Sequence, residues 1–148
     1  MVVSEEYVLV KVAGVFVANT GELSEETGPV VFLESEEKRI LPIYIGVSEA
    51  FSIQTALDNT PYPRPLTHDL FISVLENSGL RVEKIVIDDI SEGVFFSRLI
   101  ISKNGDSSEF DARPSDCIAL SVRTSAPVYV SSKVMEQASV EKKDYTVE

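Results

Sequence analysis

Two polar corners of this 148-residue chain concentrate the side chains that perform acid–base and phosphate chemistry. The first is Pro61-Tyr62-Pro63-Arg64-Pro65, followed by Thr67, His68 and Asp69. Its prolines fix φ, lack an N–H and bias the preceding residue away from helix, so the elbow is stiff. His68 is the chain's single histidine. It can activate water or protonate a leaving oxygen near neutral pH; alternatively it hydrogen-bonds the elbow from a helix N-terminus. The second corner is Asp111-Ala112-Arg113-Pro114-Ser115-Asp116. A strand-to-helix turn of this kind presents Asp116, Ser115 and backbone N–H groups to a phosphate, although Ser115 can equally serve as a cap.

Arg64 and Arg113 each precede a proline and therefore sit on extended, stiffened backbone. Either can grip a phosphate bidentately or form a surface salt bridge. Glu49, Asp69 and Asp116 are candidate ligands for Mg²⁺ or Mn²⁺, which bind oxygen donors. Glu49 and Asp69 also suit the positive ends of helices. There is no His-x-x-x-His and no cysteine pair, so no zinc spacing is present. Tyr62, between two prolines, is a platform on which a base can stack. Tyr44, Phe51 and Phe71 read as core.

Tyr7–Ala18 reads as a strand with a bulge at Gly14, and 19–28 as a polar acidic loop. Pro29–Glu34 and Arg39–Ile45 form a hairpin. Gly46 caps a helix bearing Val47, Ala50, Ile53 and Leu57 on one face, with Glu49 at the third position. Thr67 caps a second helix with an apolar stripe of Leu70, Phe71, Val74 and Leu75, stopped by Asn77-Ser78-Gly79.

Arg81–Ile90 and Val94–Lys103 are strands around Glu92-Gly93. Asn104-Gly105 predicts a two-residue type I′ hairpin. That loop sets Lys103 opposite Asp106, Leu99 opposite Phe110 and Arg98 opposite Asp111, which favours an Arg98–Asp111 ion pair. A third helix carries Ile118, Ala119 and Val122, with Cys117 as a small buried residue. Pro127–Val130 reads as an edge-like strand, and a short helix starts near Lys133. The expectation is one α+β domain over residues 1–140, with a charged, frayed tail over 141–148. It has a mixed, largely antiparallel sheet of about seven strands and three to four helices.

Net charge is −11, which opposes non-specific nucleic-acid binding. The acidity is uneven: all six arginines lie within residues 39–123, leaving room for a less acidic cleft there. No apolar run approaches the roughly 20 residues that span a bilayer. With no signal-peptide pattern and one cysteine, the expected location is cytoplasmic and no membrane association is expected.

Three pieces together resemble the bifunctional nuclease domain family: LPIYIGVSEAFSIQTAL at Leu41–Leu57, RPLTHDLF at Arg64–Phe71 and DARPSDCIALSVR at Asp111–Arg123. GVFFSRLII at Gly93–Ile101 fits as well. Cys117 stands where the family commonly has alanine. The resemblance implies an α+β homodimer with a groove, hydrolysing phosphodiester bonds in both DNA and RNA, and we expect low sequence specificity. The resemblance carries over no catalytic residues; the residues themselves nominate His68, Asp69 and Asp116 for the chemistry. On the same reading Arg64, Arg113, Ser115 and Tyr62 bind the substrate, and Glu49, Asp69 and Asp116 hold the metal. The rivals are a non-enzymatic dimeric module binding a small anionic ligand or a protein partner, and a structural subunit. The hydrolase reading requires both corners to share one concavity.

Overall fold

The computed structural model describes residues 6–17 and 28–144. Strand β1 (Tyr7–Val17) pairs antiparallel with β2 (Pro29–Ser35), which turns into β3 (Arg39–Tyr44). The β1–β2 register slips between Val12 and Gly14, so the expected bulge is present. The acidic loop expected over 19–28 lies outside the described residues but for Gly28. Helices α1 (Val47–Leu57) and α2 (Thr67–Asn77) follow, flanking the proline elbow. Next comes the meander β4 (Arg81–Ser91), β5 (Val94–Lys103) and β6 (Asp106–Ala112). The chain closes with α3 (Pro114–Thr124), β7 (Val128–Ser131), α4 (Ser132–Ala138), β8 (Val140–Glu141) and a 3₁₀ turn over Lys142–Asp144.

The eight described strands form one sheet in the order β6-β5-β4-β7-β1-β2-β3-β8. All neighbours are antiparallel except β4 and β7. The Asn104-Gly105 turn has φ of 52° and 90°, as a type I′ loop requires. Its three expected backbone pairings all form. The ion pair does not. Arg98 instead donates to Asp88 Oδ2 at 2.6 Å and Glu109 Oε1 at 2.8 Å. Its long side chain reaches diagonal neighbours on the two flanking strands rather than the residue directly opposite.

One expectation about strands is corrected. The segment read as an edge is β7, at the middle of the sheet, where Val128 and Val130 are buried and pair with both β4 and β1. Of the tail, Glu141–Asp144 lie within the described residues: Glu141 pairs with Arg39, and the Lys142 N–H donates to the Lys38 carbonyl at 3.0 Å.

The core joins Val31, Leu33, Leu41 and Ile43 of the N-terminal hairpin to Ile85, Ile87, Leu99 and Ile101 of the meander. Ile53 of α1 and Ile118 of α3 sit within it, each fully buried. Burying side chains of this size contributes roughly 1.5–3 kcal/mol each. Packing of α1 on α3 is therefore what fixes the helices that hold the two corners. Cys117 is buried as expected; burial pushes its thiol up to about 11, which makes it a poor nucleophile.

The α2 stripe is corrected too. Only Leu75 is buried, whereas Leu70, Phe71 and Val74 are exposed. Tyr44 and Phe51 are likewise exposed rather than core, and Phe51 packs edge-on against Tyr62 with ring centroids 5.4 Å apart. Helical spacing marks a stripe but does not say what covers it.

Candidate functional site

The two corners do meet, through the N-terminal turns of α1, α2 and α3. Gly46 is the N-cap of α1 and Glu49 its third residue, as expected. A Cβ at position 46 would collide with the Glu49 carboxylate, so glycine there lets that carboxylate fold back over the helix start. At α2 the N-cap is Leu66, one residue earlier than expected, because Leu66 is still extended and Thr67 is already helical. Asp69 reaches back to accept from the Leu66 N–H at 2.9 Å. At α3 the cap is Arg113, with Pro114 at the first helical position and no side-chain cap. Ser115 therefore does not cap; it is buried on the second position.

Asp116 is the hub. Its Oδ1 lies 2.9 Å from His68 Nε2. Arg113 Nε donates to Asp116 Oδ2 at 2.9 Å, and a second guanidinium nitrogen donates to Oδ1 at 3.1 Å. Arg113 also reaches Glu49 Oε2 at 3.5 Å. On the far side of the imidazole, Nδ1 lies 2.7 Å from Ser52 Oγ. With Asp116 ionised, Nε2 carries the proton it donates, and in the neutral ring Nδ1 accepts from the Ser52 hydroxyl. The result is a continuous chain from Ser52 through His68, Asp116 and Arg113 to Glu49. Ser52 was not read from the sequence as a site residue. Its only signal there is a hydroxyl beside Ile53, on the face of α1 that turns inward.

Burial raises the Asp116 carboxyl, but hydrogen bonds from Arg113 and His68 outweigh it and hold the group below the usual aspartate range. Asp69 behaves alike: burial raises it, while Arg123 and the Leu66 N–H bring it down further. A carboxyl with a depressed folded-state pKa contributes stability that is complete above the unfolded value and is lost as pH falls through the folded one. Melting temperature should therefore fall below about pH 4. Melts of Asp69→Asn and Asp116→Asn should fall less steeply over that window than wild type; equal slopes would contradict the assignment.

Asp69 does not join Asp116. Arg123 Nε donates to Asp69 Oδ1 at 2.8 Å, while another Arg123 nitrogen donates to the Ala119 carbonyl at 3.0 Å, tying α2 to α3. Asp69, Tyr62 and Arg64 line a separate concavity of about 610 Å³ on that side. His68, Asp111 and Asp116 line a largely apolar cleft of about 850 Å³ between α2 and the β5–β6 hairpin. Glu49, Arg113, Ser115, Asp111 and Asp116 line a groove of about 870 Å³ on the other side. Asp111 and Asp116 border both spaces, so cleft and groove adjoin. Arg113, with 64% of its side chain exposed, faces solvent from the groove.

The three carboxylates read as metal ligands are thus not gathered. Among the described residues, no three His, Cys, Asp or Glu side chains cluster as a metal site. Arg113 occupies the space between Glu49 and Asp116, and as placed this donor set does not fit a divalent ion. Also among the described residues, no helix is long and apolar enough to cross a membrane.

Comparison with known proteins agrees with this arrangement of motifs. Residues 30–143 match the bifunctional nuclease domain. An uncharacterised protein of Mycobacterium tuberculosis is 39% identical over 113 residues, covering 76% of this chain and 67% of that one. Bifunctional nuclease 1 of Oryza sativa subsp. japonica is 27% identical over 108 residues, covering 71% of this chain and 33% of its own length. Bifunctional nuclease 1 of Arabidopsis thaliana is 28% identical over 108 residues, with 70% and 33% covered. The match extends across all three helix starts that build the site, and the chain belongs to the bifunctional nuclease domain family.

Proposed function

We propose that this protein hydrolyses phosphodiester bonds in DNA and RNA with low sequence specificity, at the junction of groove and cleft. The observation that carries this is Arg113, exposed and held among the described residues by the Glu49 and Asp116 carboxylates, which an incoming phosphate can replace. Charge-assisted bidentate bonds to phosphate suit a guanidinium. As Arg113 turns to the phosphate, Asp116 Oδ2 loses its partner while His68 still holds Oδ1. A carboxylate relieved of its cation becomes a better base. Water then attacks phosphorus, its proton passes to Asp116 Oδ2, and the P–O bond to the leaving oxygen breaks as that oxygen takes a proton from solvent water. His68 is the group that orients Asp116 and shares that proton.

Metal dependence is a separate part of the proposal. As placed, Glu49 and Asp116 hold Arg113 and not an ion; were Arg113 to swing away to a phosphate, these two carboxylates would be the ones to hold Mg²⁺ or Mn²⁺, which would supply phosphate polarisation. Arg64 and Tyr62 face another concavity and are proposed as outlying contacts for the strand. A homodimer is also proposed: Leu70 and Val74 are exposed, lie outside the cleft and suit an apolar interface. A single buried cysteine suits the cytoplasm, which we propose as its location.

Digestion of labelled single-stranded DNA and RNA by the pure protein, in Mg²⁺, in Mn²⁺ and in EDTA, tests the reading. Cleavage lost in EDTA supports both parts, and cleavage retained in EDTA removes the metal. Oligonucleotide binding without cleavage in any of these would instead favour a non-enzymatic binding module.

A further inference from the structure

We propose that the cleft between α2 and the β5–β6 hairpin receives one unstacked nucleobase, so that the enzyme acts on single strands; this rests on the hydrolase reading above. Its walls include Leu75, Leu99, Ile101 and Leu120, which are buried apolar residues. Phe71 and Phe110 also line it, yet remain 39% and 51% exposed. An aromatic side chain left open beside an apolar hollow is what a flat π-system stacks on. Its volume of about 850 Å³ is ample for a base and sugar.

The charges around it select the occupant. Asp106, Asp111 and Asp116 border the cleft, against Lys103 and the imidazole of His68, which is already engaged by Asp116. A fatty acid or a free phosphate would meet that acidic rim and be repelled. A base is neutral and tolerates it. Asp111 is in no ion pair among the described residues, so its carboxylate can accept from an exocyclic amine of the base. The phosphate attached to that base belongs across the Asp111–Asp116 wall, where Arg113 is exposed. One nucleotide thus straddles the two spaces, its neutral part in the cleft and its charge in the groove. A base paired in a duplex enters only by leaving its stack, and that cost sets the preference.

The test uses three substrates with the full chain: a single strand, its duplex, and a single strand with abasic central nucleotides. Wild type should cut the intact single strand about tenfold faster than either of the others. In Phe110→Ala, a change at a half-exposed position that should leave the fold intact, the ratio of intact to abasic cleavage should fall toward one. Equal rates on all three substrates in both proteins would overturn the cleft's role while leaving the hydrolase reading in place. If nothing is cut, the hydrolase reading fails, and quenching of 2-aminopurine in a bound single strand decides about the cleft. Quenching lost in Phe110→Ala supports base entry, and no quenching in wild type overturns it. A changed oligomeric mass in Phe110→Ala with an unchanged cleavage ratio would mean that a second copy covers the cleft, which also overturns it.

Discussion

Asp116→Ala is expected to slow phosphodiester cleavage by about a hundred- to ten-thousand-fold, the range lost with a positioned acid–base group. Two side chains depend on this one carboxylate. It accepts from His68 Nε2, it receives two bonds from Arg113, and it is the oxygen pair left facing the groove when Arg113 moves. Its loss removes the base and frees the imidazole to rotate about its remaining bond to Ser52. Arg113 keeps Glu49 and can still hold phosphate, so the loss should fall on kcat more than on KM. Asp116→Asn should be nearly as slow: its amide oxygen can accept from His68, but the NH₂ then faces Arg113, and an amide does not take the proton. Initial rates at saturating oligonucleotide, with a thermal melt to show that each variant is folded, check this. A wild-type rate for Asp116→Ala would remove Asp116 from the chemistry.

The largest stability effect belongs beside it on the same helix. Ile118→Ala should destabilise the fold by about 2–5 kcal/mol, the cost of an alanine truncation in a close-packed core. Ile118 is fully buried in the cluster that also contains Ile53 of α1 and Ile85 of β4. Neighbouring helices and strands are held by their own side chains, so the cavity left behind closes only in part. Urea unfolding should show a lower midpoint with little change of slope. A loss below about 1 kcal/mol would mean that α3 is held chiefly by its polar ties, such as Arg123 to Asp69.

These two residues also mark what was legible without a structure. Asn104-Gly105 predicted the β5–β6 register because a type I′ loop allows one pairing, and every expected pair is present. The cap at Gly46 and the Pro114 helix start were legible for the same reason: their backbone chemistry is local. Choices among distant partners were not. Arg98 had three acids within reach on two strands, and the one directly opposite is the one it does not bind. Thr67 looked like a cap, but Leu66 is the last extended residue, and the capping carboxylate comes from Asp69. That bond and Arg123 hold Asp69 on the side away from Asp116, a separation invisible in the Thr67-His68-Asp69 run. Ser52 escaped notice since only the packing of α1 beside α2 gives its hydroxyl an imidazole. β7 was misplaced because its four residues carry no sign of which strands will flank them.

The central position of β7 has a consequence for how the chain is made. The β1–β3 hairpins and the β4–β6 meander are each built from contacts close in sequence, and such contacts form early. What unites them is a seam in which Val10 meets Val128 and Ile87 meets Val130. Until residue 131 has left the ribosome, each half keeps a raw inner margin of unpaired amides, open to proteases and to strands of other nascent chains. Assembly of this fold is thus a zipper closed by Val128 and Val130 of β7, and chaperone demand should peak just before they emerge.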